Sequence, residues 1–183
     1  MNAQPFPETA AHARRLILII GPIASGKSTL ADTLAHKLRT SGEAVTVVGL
    51  DTVAEMALPT LGDWTWAHEV HGQLVGAWLE KPIPTVIAEG PATPEEVELI
   101  MRHVGPDVGV RKVLITTSYE TALVRASADP TRGLSKDPEF LLRMHRRFEQ
   151  TRPDIVFDLQ FDTDELSSDD IAERVIEGLP NVR

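Results

Sequence analysis

Residues 21–28 read Gly-Pro-Ile-Ala-Ser-Gly-Lys-Ser, and they directly follow the apolar run Leu-Ile-Leu-Ile-Ile at 16–20. They match the pattern Gly-x-x-x-x-Gly-Lys-Ser/Thr, in which the glycines let backbone N–H groups surround a phosphate. The lysine of this pattern reaches the outer phosphates, and the hydroxyl binds Mg²⁺. The segment predicts a nucleoside triphosphate site built from Gly21, Pro22, Ile23, Ala24, Ser25, Gly26, Lys27, Ser28 and Thr29.

The sequence on either side of this octapeptide supports the prediction. Leucine and alanine recur after it with helical spacing, and Gly42 is a suitable residue for the end of that helix. A glycine turn in an unrelated strand–helix connection is the alternative. An apolar strand before the octapeptide and an amphipathic helix after it favour the phosphate loop.

Composition limits the class of protein. The chain has 183 residues, of which 42% are hydrophobic and 25% charged, and it contains no cysteine. We expect a flexible extension at residues 1–13 and a single domain at 14–183. The absence of cysteine excludes disulfides and fits a cytoplasmic protein. No apolar segment is long enough to predict a membrane span.

The charge distribution bears on possible partners. A formal net charge of −9 disfavours nucleic acid, whose binding requires a basic face. Residues 125–152 nevertheless hold a local cluster of basic side chains, which favours an anion site. This cluster consists of Arg125, Arg132, Lys136, Arg143, Arg146, Arg147 and Arg152.

Strand and helix patterns alternate along the whole chain. Buried-strand runs occur at 16–20, 44–50, 85–88, 110–116 and 155–161, with helical patterns between them. This alternation predicts an α/β, three-layer P-loop NTPase fold with a five-stranded, mostly parallel sheet flanked by helices. Because ligands bind beyond the carboxyl ends of such strands, residues that follow different strands should meet there.

Two acidic residues occupy such positions. Asp51 follows the second strand, and Glu89 ends the third. The chain has only two asparagines, and neither begins the Asn-Lys-x-Asp motif that GTPases use to recognise guanine. The third strand ends in glutamate where motor and transporter ATPases usually have aspartate. A small kinase fits these features better than either class.

The order of phosphate loop, strand-end Asp51, basic segment and the closing stretch 157–163 resembles the small P-loop kinases around chloramphenicol phosphotransferase and zeta toxin. Adenylylsulfate kinase and gluconate kinase are more distant relatives. The resemblance covers residues 15–180 as architecture. It implies ATP and Mg²⁺ as cofactors, with Lys27 and Ser28 in their usual roles.

Three further roles follow from this resemblance. Asp51 would accept the proton of the substrate hydroxyl; the alternative is that it caps the turn 51–55. Residues 125–147 would form a lid segment in which Arg125 and Arg132 neutralise charge on the transferred phosphate. Arg143, Arg146 and Arg147 form a solvated helix face in the alternative interpretation.

The acceptor is expected between the second strand and the following helix. Trp64 is a candidate to contact it, whereas Trp66 and Trp78 are assigned to the core. Glu89 would bind the substrate or a water on Mg²⁺, or would simply be a loop carboxylate. His68 and His71 lack a signalled third ligand and do not predict a metal site.

The sequence therefore predicts an ATP- and Mg²⁺-dependent phosphotransferase acting on a hydroxyl of a small molecule. One alternative is a P-loop NTPase that hydrolyses or senses nucleotide without an acceptor, and another is a non-catalytic binding module or toxin-like partner protein. Asp51 and the lid segment favour the kinase, since sensing requires neither an acceptor base nor a closing lid. The identity of the acceptor, the choice of ATP over GTP and the oligomeric state stay open at this point.

Overall fold

A parallel sheet organises the molecule. The computed structural model describes residues 14–130 and 132–179. In this part of the chain the strands are β1 (Arg15–Ile20), β2 (Val45–Gly49), β3 (Thr85–Glu89), β4 (Gly109–Thr116) and β5 (Leu159–Asp162). Their order is β2-β3-β1-β4-β5, and every neighbouring pair is parallel. The predicted fold class is confirmed. The expected extension at 1–13 lies outside the described residues.

Helices cover both faces of the sheet. They are α1 (Lys27–Thr40), α2 (Leu50–Glu55), α3 (Trp64–Leu79), α4 (Pro94–Met101), α5 (Tyr119–Ala128), α6 (Pro138–Thr151) and α7 (Ser168–Glu177). Side-chain oxygens accept N–H bonds at the starts of five of them, at Asp63, Thr93, Ser118, Asp137 and Ser167. None of the described helices is both long and apolar enough to cross a bilayer.

The central strand β1 divides the core into two layers. Residues 16–20 have no exposed surface, and alternate side chains point to opposite faces. Leu16, Leu18 and Ile20 pack on the face that α3 and α4 cover, with Val75, Ile100 and Phe148. Ile17 and Ile19 pack on the other face against α1 and α7, with Leu30, Leu34 and Ile171. This packing places the phosphate loop at the middle of the sheet's carboxyl edge.

The buried face of α3 differs from the predicted one. Trp66 and Trp78, assigned to the core from the sequence, are 57% and 37% exposed. The helix instead turns Gly72 and Gly76 toward the segment that includes α4. A Cβ atom on Gly72 would lie 2.7 Å from the Leu99 carbonyl oxygen. Because α3 approaches this segment closely, the side without side chains, at Gly72 and Gly76, packs against it. Trp66 and Trp78 therefore remain at the surface.

The fifth strand is also shorter than the predicted 155–161. Arg152–Asp154 forms a short 3-10 turn that contains a proline, and Ile155 is buried without joining the sheet. Asp158 then pairs with Lys112 through its backbone N–H and through its carboxylate, which accepts the Lys112 N–H at 2.7 Å. The apolar character of Ile155 therefore reflects its burial and not pairing in a strand.

Candidate active site

The phosphate loop has the backbone geometry of an anion-binding nest. Ala24 and Gly26 adopt positive φ values of 60° and 94°, which turn neighbouring N–H groups toward a common concavity. Gly21 is required for a different reason, because a Cβ atom there would lie 2.5 Å from the Ile115 carbonyl oxygen. The helix α1 begins directly after Gly26, so its N-terminus adds further N–H donors.

Lys27 lies within this loop. Its Nζ donates hydrogen bonds of 2.9 Å to the carbonyl oxygens of Gly21 and Pro22. Burial lowers the pKa of the Lys27 ammonium, while the carboxylates of Glu89 and Asp51 act in the opposite direction. The positive charge of Arg132, in the lid segment, also lowers the pKa of Lys27. Residues from four separate parts of the chain thus converge on one ammonium group.

Ser28 and Glu89 place two oxygen ligands side by side. The Ser28 hydroxyl donates to Glu89 Oε1 at 3.2 Å, and Glu89 is only 6% exposed at the end of β3. Burial raises the pKa of the Glu89 carboxyl, Lys27 opposes this shift, and Asp51 adds to it. Oxygen ligands of this kind suit Mg²⁺.

The raised pKa of Glu89 leads to a prediction about the stability of the fold. When burial raises the folded-state pKa of a carboxyl above its ordinary value, the free energy of unfolding falls as the pH rises from the ordinary pKa through the raised one. Glu89→Gln should therefore gain free energy of unfolding relative to the parent protein as the pH rises above about 4.5, the ordinary pKa of a glutamate, measured by urea unfolding. Glu55→Gln, an exposed change on α2, is the control and should show a flat difference. A pH-independent difference for Glu89→Gln would contradict this assignment.

Asp51 lies in the first turn of α2, and its side chain is exposed. Gly49 occupies the N-cap position, and no side chain caps this helix, so the capping role considered for Asp51 is not what the structure contains. Asp51 opens onto a cleft of about 380 Å³ beside Ser28 and Glu89. The predicted convergence of strand-end residues at one edge of the sheet is observed.

The lid arginines occupy different environments. Arg125 donates to both Thr163 oxygens, at 2.9 Å to Oγ1 and 2.8 Å to the carbonyl, and lies 3.5 Å from the Ser25 carbonyl oxygen. It joins α5 to the loop after β5 and to the phosphate loop. Arg132 donates through Nε to Asp129 at 3.2 Å. Arg143, Arg146 and Arg147 are exposed on α6, as a solvated face requires.

The aromatic side of the cleft differs from the sequence-based expectation. Trp64 begins α3 and is 47% exposed, but it does not line the cleft. Trp78 does line it. His71 is fully buried and its Nε2 contacts the Val48 carbonyl oxygen at 2.9 Å, so this nitrogen carries the proton. Across 14–130 and 132–179 no group of three potential ligands forms a metal cluster.

Three contributors were missed at the sequence level. His145 on α6 lies 3.0 Å through Nε2 from the Ile23 carbonyl oxygen. Thr163 contacts the Ser25 carbonyl oxygen at 3.0 Å. Asp32 lines the cleft. Two signals were available: a polar residue on the buried stripe of α6, and the four-residue spacing that places Asp32 on the same helix face as Ser28.

His145 is expected to fix the phosphate loop to α6. A carbonyl oxygen only accepts, so the histidine must donate, and His145→Phe removes that donor while retaining a ring against Tyr119. We expect the KM for nucleotide to rise about three- to tenfold with little change in kcat, the effect of one hydrogen bond. His36→Phe, an exposed change on α1, is the control. Unchanged KM in steady-state assays would show that α6 does not position the loop.

Together, the parallel sheet, the nest and the lysine-bearing loop define a P-loop nucleotide-binding protein. The chain belongs to a family described as AAA domain, whose model matches residues 16–151. A curated relative, a probable adenylyl-sulfate kinase from Pyrococcus abyssi, is 41% identical over 59 residues. That match covers 32% of this chain and about a third, 34%, of the relative.

Solved structures of small P-loop kinases share the fold over most of the chain. A shikimate kinase from Bacteroides thetaiotaomicron superposes with a TM-score of 0.63 and 16% identity, covering 89% of this chain and 97% of that one. The APS kinase of Mycobacterium tuberculosis, in complex with AMPPNP and APS, superposes with a TM-score of 0.62 and 16% identity. This match covers 91% of this chain and 97% of that one. At this level of identity the likeness establishes the fold.

Proposed function

We propose that this protein is an ATP- and Mg²⁺-dependent kinase that transfers the γ-phosphate to a hydroxyl of a small molecule. The observation that carries the proposal is the cleft shared by the phosphate loop and Asp51. A free carboxylate opens onto it beside Ser28, and Lys27 lies close by. The kinase names of the sequence relative and of the structural neighbours support the same class of reaction.

Each residue has a defined part in the transfer. The acceptor oxygen would attack the γ-phosphorus while its proton passes to Asp51, and the bond to the β-phosphate oxygen would break to release ADP. Backbone N–H groups of residues 21–29 would hold the phosphates. Lys27, Arg125 and Arg132 would neutralise charge on the transferred group and the leaving oxygen.

The oxygen pair of Ser28 and Glu89 fits a magnesium ion. The hydroxyl and the buried carboxylate lie within 3.2 Å of each other beside the nest. Ser28 would bind the ion directly, and Glu89 would bind it or one of its waters. When bound, Mg²⁺ supplies positive charge to the phosphates.

The proposal is tested by acceptor-dependent ADP release. Purified protein is incubated with ATP or GTP, Mg²⁺ and panels of hydroxylated metabolites and antibiotics, with mass spectrometry to detect the phosphorylated product. We expect ADP release that depends on one class of acceptor. Equal release without any acceptor would instead favour nucleotide hydrolysis, and failure to bind nucleotide would exclude both enzymes.

A further inference from the structure

The charges that line the cleft have a single sign. Its charged side chains are Asp32, Asp51 and Glu89. Asp32 lies on α1, near enough to Glu89 to raise the pKa of that carboxyl. The polar remainder is Ser28 and Thr52, and no lysine or arginine of residues 14–130 and 132–179 belongs to the lining.

Basic side chains near the site have other partners. Lys27 donates to two carbonyl oxygens of its own loop, and Arg132 donates to Asp129. Arg147 on α6 interacts with His68 and Glu95, neither of which lines the cleft. An anionic acceptor would therefore bring its charge toward three carboxylates, which the nearby ammonium group of Lys27 offsets only in part.

Magnesium would not reverse this balance. An ion at Ser28 and Glu89 would leave the carboxylates of Asp32 and Asp51, both exposed, facing the cleft. The donor phosphates add further negative charge beside it. A cationic group on the acceptor is favoured by all of these charges.

The cleft also has apolar lining residues. Leu74 and Trp78 from α3 and Met56 from the end of α2 line it, and Trp78 is 37% exposed. The face of an indole ring attracts a cation as well as an apolar ring. The walls thus combine carboxylates with an aromatic side chain.

We propose that the acceptor is a hydroxylated amine, bound as its ammonium form, with Asp32 as a specificity-determining residue. This inference rests on the proposed kinase function. Asp51 would serve the reacting hydroxyl, whereas Asp32 would interact with the ammonium group. The APS and shikimate kinases whose structures share the fold do not decide this point, because they share only the architecture.

The test compares sugars of one skeleton and different charge. Glucosamine, N-acetylglucosamine and glucuronate, each also as its phenyl glycoside, are titrated calorimetrically at about pH 7 into protein loaded with ADP and Mg²⁺. We expect the amines to bind about tenfold more tightly than their N-acetyl forms, and glucuronates most weakly. Asp32→Asn should weaken the amines by about three- to tenfold and the N-acetyl forms by less than about twofold. Asp169→Asn, an exposed change on α7, is the control.

Several outcomes overturn this inference. One is tighter binding of the glucuronates than of the amines. Another is an equal effect of Asp32→Asn on the binding of amine and N-acetyl forms. The third is that no amine of the panel binds with a Kd below about 10 mM. Binding in the expected order without any acceptor-dependent ADP release would sink the proposed kinase function while leaving the preference of the cleft intact. Phosphorylation of anionic acceptors alone would support the proposed kinase function and would overturn the preference of the cleft for amines.

Discussion

Replacing Lys27 with alanine should lower the acceptor-dependent kcat by about 10²–10³-fold, the effect of removing one preorganised donor to a developing charge. Lys27 extends from the first residue of α1 into the phosphate loop, with Glu89, Asp51 and Arg132 around it. An alanine would leave the nest amides in place but remove the positive charge. A coupled assay of ADP release measures the loss.

The fold should tolerate this change. Lys27 Nζ bonds only carbonyl oxygens of its own loop, and the side chain is not part of either core layer. Lys37→Ala, on the same helix, removes an exposed pair with Asp169 and Glu173 and should leave kcat unchanged. If Lys27→Ala keeps kcat within about threefold of the parent while Lys37→Ala behaves as expected, charge neutralisation by Lys27 is excluded.

Asp51→Asn should lower kcat by about 10²–10⁴-fold, the range for loss of a general base. The amide has nearly the shape of the carboxylate but cannot take the acceptor's proton. Since Asp51 is exposed and caps no helix, stability should change little. The KM for nucleotide should stay within about threefold, because the loop at 21–29 is untouched.

A matched control lies one turn away. Glu55→Gln removes a carboxylate from the last residue of α2, and Glu55 is exposed and does not line the cleft. It should retain the parent kcat. Acceptor-dependent turnover that survives Asp51→Asn would remove Asp51 from the role of base. Nucleotide hydrolysis that persists while acceptor phosphorylation disappears would support that role most directly.

Much of the architecture was accessible from the sequence because each element carries a local signal. Several helices start at residues of a type that caps helices, namely Thr93, Ser118, Asp137 and Ser167, and β1 is a continuous apolar run. The finer resemblance to chloramphenicol phosphotransferase and zeta toxin stays a prediction, as do the roles of the individual site residues. What is shown is the AAA domain family and the fold of small P-loop kinases.

Errors arose where side-chain character and tertiary contact disagree. The apolar stripe of α3 suggested that Trp66 and Trp78 are buried, but Gly72 and Gly76 permit the closer helix approach and occupy the interface instead. Ile155 is apolar because it fills the core beside a 3-10 turn, not because it pairs in β5. Hydrophobic character alone therefore decides neither which side chains are buried nor which neighbours they contact.

The sequence by itself determined the phosphate loop, the alternation of strands and helices along the chain and the strand-end positions of Asp51 and Glu89, since all of these depend on short-range spacing. The tertiary structure alone decided the contacts across the molecule: Ser28 with Glu89, His145 with the loop, and the acidic cleft with Asp32 and Trp78. Such contacts join residues separated by tens of positions along the chain. Only the packing of helices on the sheet fixes which of them meet.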